Sequence, residues 1–308
     1  MALDEATAAL FAAMAEQGGP PLHEMTPEEA RGFGKALREM YGEGPEVSLS
    51  REFTAGSVPC RLIVPAGELE GVLVYYHGGG WVIGAIDEFD TLARKLANAA
   101  HFAVVLVDYR LAPEHPYPAA VDDAWEALTW VADHVEELVG KKLPLAIGGD
   151  SAGGNLTAVM ARRAAEQGAP ELLTQLLVYP VADCDFTTGS YLDPENQGLL
   201  TKEAMEYFFG FYVSDGASAE HPDISPLRAE NVSGQVPALV ATAEHDPLRD
   251  EGEALARKLE AAGVEVNFRR FAGQSHGFFT MVNVLPGSDA GIAFVTDHLR
   301  DQLARSTS

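Results

Sequence analysis

Helical spacing marks the start of this chain. Leu10, Phe11 and Met14 fall on one face of an N-terminal helix. A second helix opens at "TPEEA", where Thr26 is placed to cap, Pro27 suits the first helical position and Glu29 completes a capping box. From about Val47 the pattern changes to short apolar runs. "EVSLSREFTA" and "SVPCRLIVP" predict a pair of strands joined at Gly56. A strand over 71–76, a helix over 88–100, a strand over 102–109 and a helix over 119–138 follow. The alternation continues with strand "LPLAIGGD", helix 154–167, strand "LLTQLLVYP", strand "ALVATAEHD", helix 249–262, strand "VEVNFRRF" and helix 288–304. Strand and helix taking turns predict a mainly parallel sheet with helices on both faces.

Residues 181–235 break the rhythm, for they contain no good strand. They do contain "TKEAMEYFFGFYV", where Met205, Phe208, Phe209 and Tyr212 share a helix face. Such a stripe serves ordinary packing or lines a pocket, and one helix can do both. With the N-terminal helices it predicts a helical cap. The expected organisation is residues 1–45 as the N-terminal part of the cap and 46–308 as the main α/β domain, with 181–235 inserted as the rest of the cap. No internal repeat or low-complexity linker interrupts this plan.

Length and composition narrow the function. The chain has 308 residues, 47% of them hydrophobic, enough to fill a large core. Its 46 acidic and 21 basic residues give a formal net charge of −25, a surface that repels nucleic acid and anionic lipid. The plain reading is a soluble protein with an acidic surface; adaptation to salt is the second. Cys60 and Cys184, the two cysteines, make no disulfide framework and carry no metal-ligand spacing, so reduced thiols and no metal are expected. The acidic start "MALDEATAALFAAMAEQGG" lacks a basic leader, and no apolar run reaches a membrane-spanning length. A cytoplasmic protein is therefore expected.

The candidate chemistry lies in three segments. "GGDSAGGN" holds Gly149-Asp150-Ser151-Ala152-Gly153, a G-x-S-x-G match that follows a buried strand and opens a helix. A serine on such a sharp turn presents its hydroxyl outward, and the Ala152 amide then sits at a helix N-terminus, where negative charge is favoured. A serine hydroxyl needs a base, and the base needs an orienting acid. "AEHDPLRDEG" offers Glu244, Asp246 and Asp250; Asp246 is preferred, because Glu244 is nearer the buried strand and Asp250 is expected inside the next helix. "GQSHGFF" offers His276, whereas His245 adjoins Asp246 and is badly placed to face it. Both segments follow strand C-terminal ends, where parallel sheets gather their ligands. The third segment, "HGGGW" after strand 71–76, brings backbone amides close to a ligand. Gly78 and Gly79, with Ala152, are the expected donors to an oxyanion, and His77 the residue that shapes the loop. Trp81 is expected to wall the substrate pocket or to pack beneath the loop, and Phe208 and Tyr212 are the further expected pocket residues.

Together "HGGGW", "DYRLAPEHPYPAA", "GGDSAGGN", "DPLRDEG" and "SHGF" resemble the bacterial hormone-sensitive-lipase-like esterases of the α/β-hydrolase superfamily over roughly residues 70–300. The resemblance implies the α/β-hydrolase fold with a helical cap, and hydrolysis of short- to medium-chain carboxylic esters without a cofactor. Residue by residue it implies Ser151 as nucleophile, Asp246 as acid, His276 as base, and Gly78, Gly79 and Ala152 as oxyanion donors. The expected partner is a small-molecule ester, with a homodimer as a form of assembly found among such esterases. Three alternatives compete with this reading. Gly78, Gly80 and Gly84 with Asp108 imitate a dinucleotide fingerprint, but Trp81 and Ile83 crowd the turn and the dehydrogenase reading leaves Ser151, Asp246 and His276 unused. A catalytically dead binding protein predicts a missing triad member. An amidase, formamidase or lactonase would use the same residues.

Overall fold

A computed structural model describes residues 2–213 and 216–306. Met1, Ser214, Asp215, Thr307 and Ser308 fall within the segments assigned above and lie outside the described residues. The chain opens with α1 (Glu5–Gln17), whose N-cap Asp4 accepts from Thr7 N–H at 2.7 Å, and α2 (Pro27–Tyr41), where the Thr26–Glu29 capping box is formed. Then come β1 (Leu49–Ala55), β2 (Val58–Val64), β3 (Gly71–Tyr76), α3 (Asp90–Ala100), β4 (Phe102–Val107), α4 (Ala119–Val139), β5 (Leu145–Asp150), α5 (Ala152–Gln167) and β6 (Gln175–Val178). The strandless stretch carries α6 (Gly189–Leu192) and α7 (Lys202–Tyr212). The chain closes with β7 (Ala238–His245), α8 (Arg249–Ala261), β8 (Val266–Ser275) and α9 (Pro286–Ser306).

The strands form one eight-stranded sheet in the order β1-β2-β4-β3-β5-β6-β7-β8. β1 and β2 are an antiparallel hairpin turning at Gly56, whose φ of +64° suits glycine, and β2 pairs antiparallel with β4. From β4 to β8 every pairing is parallel. β3 shows how period 2 divides the core. Val72, Val74 and Tyr76 pack with Leu128 of α4 and Leu156 of α5, while Leu73 and Tyr75 pack with Leu96 of α3 and Leu299 of α9. β3 to β6 are buried along their whole length, which explains their unbroken apolar runs.

Several boundaries differ from the sequence expectation, three of them with a clear cause. β8 runs to Ser275, because the polar "GQS" keeps pairing past an irregularity opposite Ala243 and His245. β6 is confined to Gln175–Val178, where it has partners on both sides. α5 begins at Ala152, so Gly153 and Gly154 lie inside its first turn. The helix can start there because it is pressed against the end of β3. A Cβ on Gly153 would overlap the Tyr76 carbonyl oxygen, and one on Gly149 would overlap the Gly153 carbonyl.

The N-terminal segment and the strandless stretch touch each other at the C-terminal edge of the sheet. The turn at Leu22–Glu24 packs against α7, and Phe11 of α1 lies against Gly198. Arg31 of α2 reaches into the loops below. Its guanidinium donates to the carbonyls of Val82 and Ala112, both at 2.9 Å, and forms a forked pair with Glu114. Both cysteines are free, and burial pushes the Cys60 thiol up to about 12. No helix among the described residues is long and apolar enough to cross a membrane.

The contact between α5 and β3 predicts that Gly153→Ala destabilises the protein by several kcal/mol. A thermal melt within about 2 °C of wild type would contradict it. A second prediction concerns His298 of α9, which meets the Thr174 hydroxyl at 2.8 Å through Nε2 and whose pKa burial pushes down to about 4. The depressed value makes its contribution present above the unfolded pKa near 6.5 and lost as pH falls toward 4, on the order of 3 kcal/mol. Urea melts of wild type and His298→Gln at about pH 7 and pH 4.5 should therefore show wild type losing ground to the variant in acid. A difference independent of pH would contradict this.

Candidate active site

Ser151 sits at the junction between β5 and α5 with φ 54° and ψ −117°, a conformation that non-glycine residues adopt only under constraint. Its backbone is tied down on both sides. Ser151 N–H donates to Val178 O at 2.9 Å, and Ser151 C=O accepts from Asn155 N–H at 3.0 Å and Val181 N–H at 3.1 Å. The hydroxyl lies 3.1 Å from Nε2 of His276, in the loop after β8. His276 Nδ1 is 2.8 Å from Oδ2 of Asp246, which directly follows β7 and is fully buried. The other oxygen of Asp246 accepts Leu248 N–H at 2.9 Å, so both its oxygens are engaged. The Tyr179 ring, 4.6 Å away centre to centre, packs on the imidazole.

The rival side chains point elsewhere. The Glu244 carboxylate accepts Gly273 N–H at 2.7 Å, and Asp250 accepts Ser190 N–H at 2.8 Å. His245 is buried opposite Ser275 in the β7–β8 ladder. The structure thus brings together Ser151, His276 and Asp246, from three loops at one edge of the sheet. A hydroxyl joined to an imidazole joined to a buried carboxylate can pass its proton to the ring as the oxygen attacks a carbonyl.

The glycine loop after β3 departs from expectation at one position. Gly78 N–H is engaged, donating to Oδ1 of Asp150 at 3.0 Å. This corrects the assignment of Gly78 as an oxyanion donor, because a donor held by a carboxylate has no free direction for a ligand. The amides of Gly79, Gly80 and Ala152 have no hydrogen-bond partner among the described residues. Gly80 was missed by the sequence reading, although it belongs to the same glycine run. Gly79 and Gly80 have φ of +115° and +59°, and Gly79 C=O closes the turn by accepting from Val82 and Ile83. His77 is buried and stacks on Tyr109 at 4.4 Å, with Nδ1 2.7 Å from Gly78 O. Burial pushes its pKa down to about 4, so the ring is neutral at pH 7 and shapes the loop.

Tyr212 departs from its expected place in the pocket wall, and of the two places expected for Trp81 the packed one is found. Both are fully buried and stacked face to face at 4.1 Å, which leaves neither with surface for a ligand. They join the glycine loop to α7 by packing. Phe208, the third expected substrate residue, sits against Gly80, where a Cβ would overlap its ring. Leu199 lies near Gly277, beside His276, where a Cβ would come within 3.1 Å of it. Among the described residues no group of His, Cys, Asp or Glu is arranged to hold a metal ion.

Comparison with known proteins agrees with this arrangement of strands and loops. A family model described as the α/β-hydrolase fold matches residues 73–280. The carboxylic ester hydrolase LipN of Mycobacterium tuberculosis is 42% identical over 275 residues, covering 85% of this chain and 73% of that protein. An ethyl acetate hydrolase of Pseudomonas putida is 35% identical over 296 residues, 92% of each chain. Among solved structures, a hyperthermophilic esterase from the archaeon Pyrobaculum calidifontis superposes with a TM-score of 0.90 at 35% identity, covering 98% of this chain and 99% of that one. The chain therefore belongs to the α/β-hydrolase family, and within it to the hormone-sensitive-lipase-like carboxylic ester hydrolases.

Proposed function

We propose that the chain hydrolyses short- to medium-chain carboxylic esters by a serine mechanism, with Ser151, His276 and Asp246 as its catalytic triad. The observation that carries this reading is the connected row of hydroxyl, imidazole and carboxylate, at 3.1 and 2.8 Å. As Ser151 Oγ attacks the ester carbonyl, His276 Nε2 takes its proton. Asp246 holds the Nδ1–H and stabilises the imidazolium that results. The carbonyl oxygen becomes negative in the tetrahedral intermediate, and the unpartnered amides of Gly79, Gly80 and Ala152 are the donors offered to it. His276 then gives its proton to the leaving alkoxide. Water attacks the acyl-enzyme by the same route, and the carboxylic acid departs.

The preference for small acyl groups rests on the side chains around the row. Phe208 presses on Gly80, Leu199 on Gly277, and Ser151 is only 6% exposed, so a long chain has little room near the hydroxyl. The name of the Pseudomonas putida relative, an ethyl acetate hydrolase, points the same way. The natural partner is accordingly a small ester rather than a lipid droplet.

The test is a series of chromogenic esters from acetate to palmitate, run beside an amide and a lactone, on wild type and Ser151→Ala. Turnover should peak among the short and medium esters and fall for palmitate, with no jump at a lipid–water interface. Ser151→Ala should lower turnover on the order of 10⁴–10⁶-fold. A variant keeping a tenth of the activity would mean that the nucleophile is misassigned, and a faster amide or lactone would move the reading to those substrates.

A further inference from the structure

Asp150 occupies the variable position of G-x-S-x-G, directly before Ser151, and its side chain takes no part in the mechanism above. It is 4% exposed. β3 and β5 are parallel neighbours with Tyr76 opposite Gly149, so the Asp150 carboxylate reaches sideways from the end of one strand to the loop leaving the other. Its Oδ1 accepts Gly78 N–H at 3.0 Å and the Tyr75 hydroxyl at 2.8 Å. Gly78 is not among the residues with positive φ; its side chain is forbidden because a Cβ would overlap Asp150 Oδ2. Glycine at 78 is therefore required by the carboxylate beside it.

We infer that Asp150 is a positioning residue for ester hydrolysis, holding the peptide plane from which the oxyanion-binding amides hang. His77 C=O and Gly78 N–H belong to one peptide unit. Tyr109 O–H donates to the carbonyl at 2.7 Å, and Asp150 accepts from the amide, so turning that plane breaks both bonds. The next unit is set by His77, whose Nδ1–H donates to Gly78 C=O at 2.7 Å. Since C=O and N–H of a trans peptide point in opposite directions, Gly79 N–H is aimed away from the His77 ring. The inference rests on the proposed triad and oxyanion reading.

The carboxylate does this at a cost in stability. Burial pushes Asp150 up to about 6, against the opposing pull of the Tyr75 hydroxyl, His276 and the Gly78 amide. The titratable groups around it are Tyr75 of β3, Tyr109 after β4, Tyr179 after β6, Tyr41 of α2 and His276 after β8, so among the described residues no permanent cation faces it. The raised value means that ionisation destabilises the folded state as pH rises from about 4 to 6, and the full penalty stands above that range. In return an ionised acceptor holds an amide about twice as strongly as a neutral one.

Asp150→Asn keeps an oxygen for both donors and removes the charge. At about pH 8 it should melt higher than wild type, with the difference vanishing near pH 4, and yet turn over roughly tenfold more slowly with KM changed less than about threefold. Asp150→Ala, which leaves Gly78 N–H and the Tyr75 hydroxyl unpaired, should lose on the order of 10²–10³ in kcat. A residue that only supported the fold would not yield a variant both more stable and slower. A folded Asp150→Asn protein with wild-type kcat, or a loss that disappears when rates are normalised to folded protein, overturns the inference. Ser151→Ala run alongside separates the outcomes: if it is inactive while Asp150→Asn is unimpaired, this inference alone fails, and if it retains turnover, the serine reading fails first.

Discussion

The first turn of α5 and the end of β3 are in backbone contact, and the rest of the site follows from that closeness. A Cβ on Gly149 or Gly153 would overlap the Tyr76 carbonyl oxygen, so these two glycines let α5 start hard against β3, on either side of the strained conformation at Ser151. That strain is held by three backbone hydrogen bonds to β6 and its continuation and to α5. Because β3 ends at Tyr76, the glycine loop begins where the helix presses on the strand. One contact thus sets both the direction of the Ser151 hydroxyl and its distance from the amides of the loop.

Around this junction the site is assembled from segments far apart in sequence. The Asp246–His276 pair is separated by 30 residues and the His276–Ser151 pair by 125. They meet because each follows the C-terminal end of a parallel strand, so the sheet aligns the loops before any side chain is chosen. The segments above the sheet are bound in as well. Arg31 ties α2 to the carbonyls of Val82 and Ala112, and the Trp81–Tyr212 stack ties α7 to the glycine loop. α2 and α7 are therefore both fastened to the segment that carries the glycine loop.

Much of this was legible in the sequence, because the periods of strand and helix are local properties and the reactive residues sit in short loops after buried runs. The Thr26–Glu29 box, the Gly56 hairpin and the order Ser151, Asp246, His276 could be read without knowing what packs on what. The misreadings concern contacts between distant residues. Nothing local to Gly78 reveals that Asp150, 72 residues later, claims its amide. Trp81, Phe208 and Tyr212 look alike as aromatic residues in the sequence, and only the folded chain decides that Trp81 and Tyr212 stack on each other while Phe208 presses on Gly80. The end of β8 was placed early because Gly273 and Gln274 have weak strand preference, although the ladder with β7 carries the strand past them.

The central claim is that the constrained Ser151 is a nucleophile activated by His276. The most direct measurement is mass spectrometry of the protein after treatment with a fluorophosphonate at neutral pH. The account predicts a single adduct on the Ser151 peptide, formed rapidly in wild type and far more slowly in His276→Ala. An adduct on another residue, or labelling of Ser151 at the same rate without the imidazole, would contradict it.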